Sequence, residues 1–138
     1  MSGNPLDRAA PLPPVVVHTP TGRDGALVAE LLQANAIAVE RTASGLDLAR
    51  RLDRPTGAVV LAEEALDFDT ARRLRDHLLA QPSWSDLPLI VLVAASHGAR
   101  PPAAILEGLR ETGSVTLLER PVQPVTLLTA VRTALRTR

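Results

Sequence analysis

What most constrains this chain is a set of short runs that are apolar at every position. They are separated by stretches in which apolar residues recur every three or four positions. Val15-Val16-Val17, Gly57 to Ala62 (GAVVLA) and Leu87 to Ala94 (LPLIVLVA) show no polar–apolar alternation. A strand with one wet face alternates, whereas a strand covered on both faces does not. Ile37-Ala38-Val39 and Val115 to Leu118 complete a predicted set of five strands. The intervening stretches read as helices. The first spans 24–35, with Leu27, Val28, Leu31 and Leu32 at helical spacing and Asp24 able to cap it. The second follows Ser44 as cap, carries Leu46, Leu48 (or Ala49) and Leu52, and ends before Pro55. The third opens at Asp67 or Asp69 and carries Ala71, Leu74, Leu78 and Leu79 to Gln81-Pro82. A fourth runs from the Pro101-Pro102 turn through Ile105, Leu106 and Leu109 to Gly113. The last begins near Gln123 and holds Val125, Leu127, Leu128, Val131 and Leu135.

Buried strands alternating with helices imply an α/β fold, a parallel sheet doubly wound by right-handed crossovers into three layers. The chain has 138 residues, which suits one domain. Residues 1–13 are Pro-rich and aperiodic and read as a flexible leader, and 14–138 as the domain. The leader has no apolar core of a signal peptide, and no apolar run approaches the roughly eighteen residues of a membrane span. A cytoplasmic domain is the expectation.

Composition then removes whole chemistries. The chain contains no Cys, so no disulfide, thiolate metal site or cysteine nucleophile is available. It contains no Lys, so a Schiff base and a P-loop ammonium are excluded. Every positive charge, apart from the chain terminus and any protonated His, is an Arg. The fifteen Arg balance fifteen Asp and Glu. That balance, with Phe68 and Trp84 as the only aromatics, speaks against nucleic acid or a membrane surface as partner.

Open parallel sheets bind ligands at the carboxyl ends of their strands. The residues there are His18 and Thr19, Arg41 and Thr42, Ala62 to Glu64, Val93 to Ser96, and Glu119 to Pro121. The segment Leu117-Leu118-Glu119-Arg120-Pro121-Val122, together with the order of elements over about 14–136, resembles the receiver domain of two-component response regulators. The run Gln81-Pro82-Ser83-Trp84-Ser85-Asp86-Leu87-Pro88 is similar to the stretch before the fourth strand in receiver-like N-terminal segments of some bacterial sensor histidine kinases. The resemblance implies a flavodoxin-like (βα)5 sandwich with strand order 2-1-3-4-5. It also implies an Asp acceptor ending the third strand, Mg²⁺ held by that Asp and an acidic pair after the first strand, and a hydroxyl after the fourth. A Lys before a cis Pro completes the implied site.

This chain departs at each position. The acidic pair falls on His18-Thr19, the acceptor on Ala62, the hydroxyl on Val93 and the Lys on Arg120, with Pro121 kept. A shift of one residue in the third strand instead places Glu63 at the acceptor position, where it could pair with Arg120. Otherwise Glu63 and Glu64 read as solvated loop residues. Either way the expectation is a degenerate, non-phosphorylatable receiver that is not an enzyme and holds no metal or cofactor. His18, without Ser, Cys or metal partners at useful spacing, reads as a loop or core histidine. His77 reads as part of a solvated face, His97 as a loop residue, and the three His form no ligand spacing. Trp84 reads as a packed lid, and Arg72-Arg73 as solvated helix. Function then falls to surfaces. The partner expected is a protein, or a second copy meeting through the last helix, with Val125, Leu128, Val131, Arg132 and Leu135 as candidate contacts. Val125, Leu128, Val131 and Leu135 read first as a core stripe, with Leu127 and Ala134 widening it toward solvent. The last helix is expected to continue into a kinase or other output module. The competing reading is a small α/β domain that binds a nucleotide or metabolite at the strand ends.

Overall fold

The computed structural model describes residues 12–19, 23–81, 87–94, 108–109 and 114–137. Five parallel strands form one sheet in the order β2-β1-β3-β4-β5, with β1 Val15–His18, β2 Val39–Arg41, β3 Ala58–Ala62, β4 Pro88–Ala94 and β5 Ser114–Arg120. The helices are α1 Asp24–Ala34, α2 Gly45–Arg51, α3 Phe68–Ala80 and the C-terminal α4, Pro124–Thr137. Gly108 and Leu109 are helical, as expected for the helix between β4 and β5. The rest of that helix, Trp84, His97 and most of the leader lie outside the described residues.

Strand periodicity divides the core in two. Val16, Val59, Leu61, Leu89 and Val91 face one side of the sheet with Leu48, Leu74, Leu78 and Leu109. Val15, Val17, Val60, Ile90 and Leu92 face the other with Val28, Leu32, Leu127 and Val131. Successive strand residues point to opposite faces, so uniformly apolar strands feed both layers. α2 and α3 lie over the first face, and α1 and α4 over the second. The expected three-layer doubly wound fold is the one observed.

Two of the five strands are not buried on both faces. Glu40 and Arg41 of β2 are exposed, as are four of the seven β5 residues. Both are edge strands with a single neighbour. β2 also starts two residues later than Ile37. The cause is the end of α1, where Ala36 takes a left-handed φ of 63°. The Ile37 amide donates to the Leu32 carbonyl at 3.0 Å and that of Ala36 to Gln33 at 3.1 Å. This is a Schellman stop, and it draws Ile37 onto Leu32 before the chain can extend.

Ser44 caps α2 by accepting from the Asp47 amide at 3.0 Å. Asp67, not Asp69, caps α3 by accepting from the Thr70 amide at 2.7 Å. Asp69 instead pairs with Arg72 and Arg73 on the exposed face of α3. Asp24 does not cap α1. The N-cap position is Arg23, and the Asp24 carboxylate is engaged elsewhere.

Candidate functional site

The carboxyl ends of β1, β3 and β5 carry a group of polar side chains, buried at His18, Thr19 and Glu63 and partly exposed at Glu64 and Arg120. His18, the last residue of β1, and Thr19 are almost completely buried, at 1% and 2% exposure. His18 Nδ1 lies 2.8 Å from Thr42 Oγ1, just past β2. Burial holds the His18 imidazole below its usual pKa, against the raising effects of Thr42, Asp47 and Asp67. His18 is therefore a core histidine. Thr19 Oγ1 is buried, with no hydrogen-bond partner among the described residues. Gly25, in the first turn of α1, lets the helix approach this hydroxyl. A Cβ there would collide with Thr19 Oγ1 and stand 2.7 Å from the Arg41 guanidinium.

Ala62 closes β3, paired with Leu92 of β4, and Glu63 opens a 3₁₀ turn over Glu63–Ala65. Val93 is buried on β4, opposite Glu119. Arg120 ends β5, and its bond to Pro121 is cis. Its guanidinium is the hub of the site. Nη1 donates to Glu64 Oε1 at 3.0 Å and Nη2 to Glu64 Oε2 at 2.9 Å, a two-pronged pair. Nη1 also donates to Asp24 Oδ2 at 2.9 Å. Glu63 Oε1 stands 3.9 Å from Nη2. Hydrogen bonding to Glu64 and then Asp24 raises the Arg120 pKa further, so the cation is permanent.

The sequence thus pointed to the hub and to Glu63, which stands 3.9 Å from it, but not to the two hydrogen-bonded partners Glu64 and Asp24. Glu63 is not a solvated loop residue: it is 3% exposed, because the 3₁₀ turn folds it under the strand ends, whereas Glu64 is exposed and grips Arg120. Asp24, read only as a helix cap, is the second partner. Its distance of 96 residues from Arg120 left no local signal. His77 is half-buried rather than solvated, and it lines a small pocket of about 230 Å³ with Leu52, Arg54, Thr56, Gln81 and Leu87.

The α4 residues separate by face. Leu127, Val131, Ala134 and Leu135 are buried against the sheet, whereas Val125 is 69% exposed and Leu128 half-buried. The apolar stripe is rotated from the expected one, so Leu127 and Ala134 belong to the core and Val125 does not. Arg132 is exposed, with Nη2 3.5 Å from Asn35 Oδ1.

The chain superposes on the receiver domain of NtrX from Brucella abortus with a TM-score of 0.69 at 20% identity, covering 90% of this chain and 99% of that one. The fold is that of a receiver domain. The receiver domain of the sensor histidine kinase PA1611 from Pseudomonas aeruginosa matches with a TM-score of 0.66 at 16% identity, over 90% of this chain and 98% of that one. The signal receiver domain of a LuxO-type repressor protein from Vibrio parahaemolyticus matches at 0.66 and 20% identity, over 91% and 92%. No protein-family model and no curated protein sequence matches the chain. The PA1611 receiver holds a magnesium ion in its active-site cleft. His18, Thr19 and Ala62 stand at the strand ends, and the nearby carboxylates of Asp24 and Glu64 are bonded to Arg120. Among the described residues no group of three or more His, Asp or Glu is placed to hold a metal.

Proposed function

We propose that this domain is a non-phosphorylatable receiver-like module of a two-component system that works through protein contacts rather than chemistry. The observation that carries the reading is the Arg120 hub. A working receiver needs a carboxylate nucleophile, anions free to hold a hard divalent cation, and a cation free for the phosphoryl oxygens. Here Ala62 ends β3, and Arg120 is bonded to Asp24 and Glu64. The β3 boundary at Ala62 favours Ala62 over Glu63 as the residue at the acceptor position. A retained fold with its cleft closed by internal ion pairs is suited to a fixed recognition surface.

In this reading the domain is the N-terminal part of a sensor histidine kinase. It pairs with a protein partner or with itself, and the exposed Val125, half-buried Leu128 and exposed Arg132 of α4 contribute to the contact. No helix among the described residues is long and apolar enough to cross a membrane. The deciding experiment is incubation with acetyl phosphate, or with beryllofluoride, in the presence of Mg²⁺, read by intact mass and by amide NMR shifts. No adduct and no magnesium-dependent shift is expected. A stoichiometric adduct overturns the reading.

A further inference from the structure

We infer that the groove between α1 and α4 is a binding site for a small amphipathic cation, a molecule with an apolar body and one protonated amine. The groove shares Arg120 with the strand-end site but does not include Ala62, and the inference does not depend on the signalling role. The groove has a volume of about 810 Å³ and is walled by Leu27, Val28, Leu31, Leu92, Val122 and Leu127, with Asp24 and Arg120 at one end. Concave sites of this size, mainly apolar with a few convergent polar groups, are the usual form of a small-molecule site. Its wall holds apolar surface open to water, since Leu27 is 59% exposed and Leu31 and Val122 are half-buried.

The polar end selects the charge of the occupant. One guanidinium, Arg120, has three carboxylates within reach: Asp24 at 2.9 Å, Glu64 at 2.9 Å and Glu63 at 3.9 Å. An incoming anion would have to displace the two-pronged Glu64 pair to reach Arg120. An incoming ammonium meets a carboxylate already on the groove wall. Asp24 bonds Arg120 through Oδ2 alone, its side chain is 42% exposed, and Oδ1 makes no hydrogen bond among the described residues. Arg41, close to Gly25 and Thr19, does not line the groove. An apolar body along Leu27 and Leu31 with its ammonium on Asp24 Oδ1 satisfies both halves of the site.

The test uses n-octylamine as probe, with n-octanoate and n-octanol as controls of matched chain length, followed by amide and methyl NMR on the full chain. Octylammonium is expected to give saturable shifts at Leu27, Val28, Leu31, Val122 and Leu127, with affinity about fivefold or more above that of octanol and octanoate. In Asp24→Asn, octylammonium should bind no more tightly than octanol does to the same variant. Leu27→Arg, at an exposed position that tolerates substitution, should abolish binding of all three. Equal or tighter binding of octanoate, non-saturable shifts over the whole surface, or wild-type binding by Leu27→Arg overturns the proposal.

Discussion

Arg120 and Glu64 face each other across the strand ends with two parallel hydrogen bonds, at 3.0 and 2.9 Å, although 56 residues separate them in the chain. The pair joins the end of β5 to the turn after β3, and Asp24 adds the first turn of α1 to the same guanidinium. The three segments are braced by one side chain.

That brace is partly exposed, with 22% of the Arg120 and 43% of the Glu64 side chain accessible, so solvent screening reduces its worth. Glu64→Gln should cost about 0.5–1 kcal/mol and Arg120→Ala about 1–2 kcal/mol. A double-mutant cycle in urea should return a favourable coupling that shrinks in high salt. Arg120→Lys should recover only part of it, because an ammonium cannot form the two-pronged pair.

Ala62→Asp tests whether the lost acceptor alone separates this chain from a phosphorylatable one. The residue is 3% exposed, so a carboxylate there should lower stability by about 1–3 kcal/mol. It should still take up no phosphoryl group from acetyl phosphate, since His18 and Thr19 supply no second anion for magnesium. Urea denaturation and intact mass measure the two effects.

His18 makes stability depend on pH. Burial lowers its folded pKa, so the unfolded chain, with His near 6.5, binds the proton more readily. Its neutral form is accommodated fully above about pH 6.5, and stability should fall as pH drops from there toward the depressed folded value, by up to about 1.4 kcal/mol per unit. His18→Gln should flatten this part of the profile in urea titrations between pH 7.5 and 5. Thr42→Val should cost about 1 kcal/mol, through the lost hydrogen bond at 2.8 Å.

Two small-residue swaps should move stability in opposite directions. Gly25→Ala raises helix propensity, yet the new methyl meets Thr19 Oγ1 and Arg41, so a net loss of about 1–3 kcal/mol is expected. Ala36→Gly relieves a left-handed φ of 63° and should gain about 0.5–1 kcal/mol. Thermal melts of the two variants beside the parent chain measure both.

Which features were legible in the sequence follows from the range of the forces involved. Uniform apolarity in Val15 to Val17, Gly57 to Ala62 and Leu87 to Ala94 marked central strands, because burial on both faces leaves its trace residue by residue. Ser44 and Asp67 marked helix starts through contacts only three residues long. Ile37 misled because an apolar residue serves a helix stop as well as a strand. Of the α4 stripe, Val131 and Leu135 lie in the core as read, but Val125 gives way to Leu127, since the two carry similar hydropathy and only the sheet beneath chooses between them. Arg120 was found by its place before Pro121, but Asp24 and Glu64 are brought to it by the fold, and no local pattern announces a contact across 96 or 56 residues.

The shape of β2 has a consequence for how copies of this chain can meet. Its free side offers only the three residues Val39–Arg41, and Glu40 there is tied to Arg51 at 2.9 Å. A ladder so short, with charged side chains along it, is a poor template for another chain's backbone. Intermolecular sheet growth on that side is therefore suppressed. Among the described residues the longer border for an added strand is the seven-residue β5, on the opposite side of the sheet.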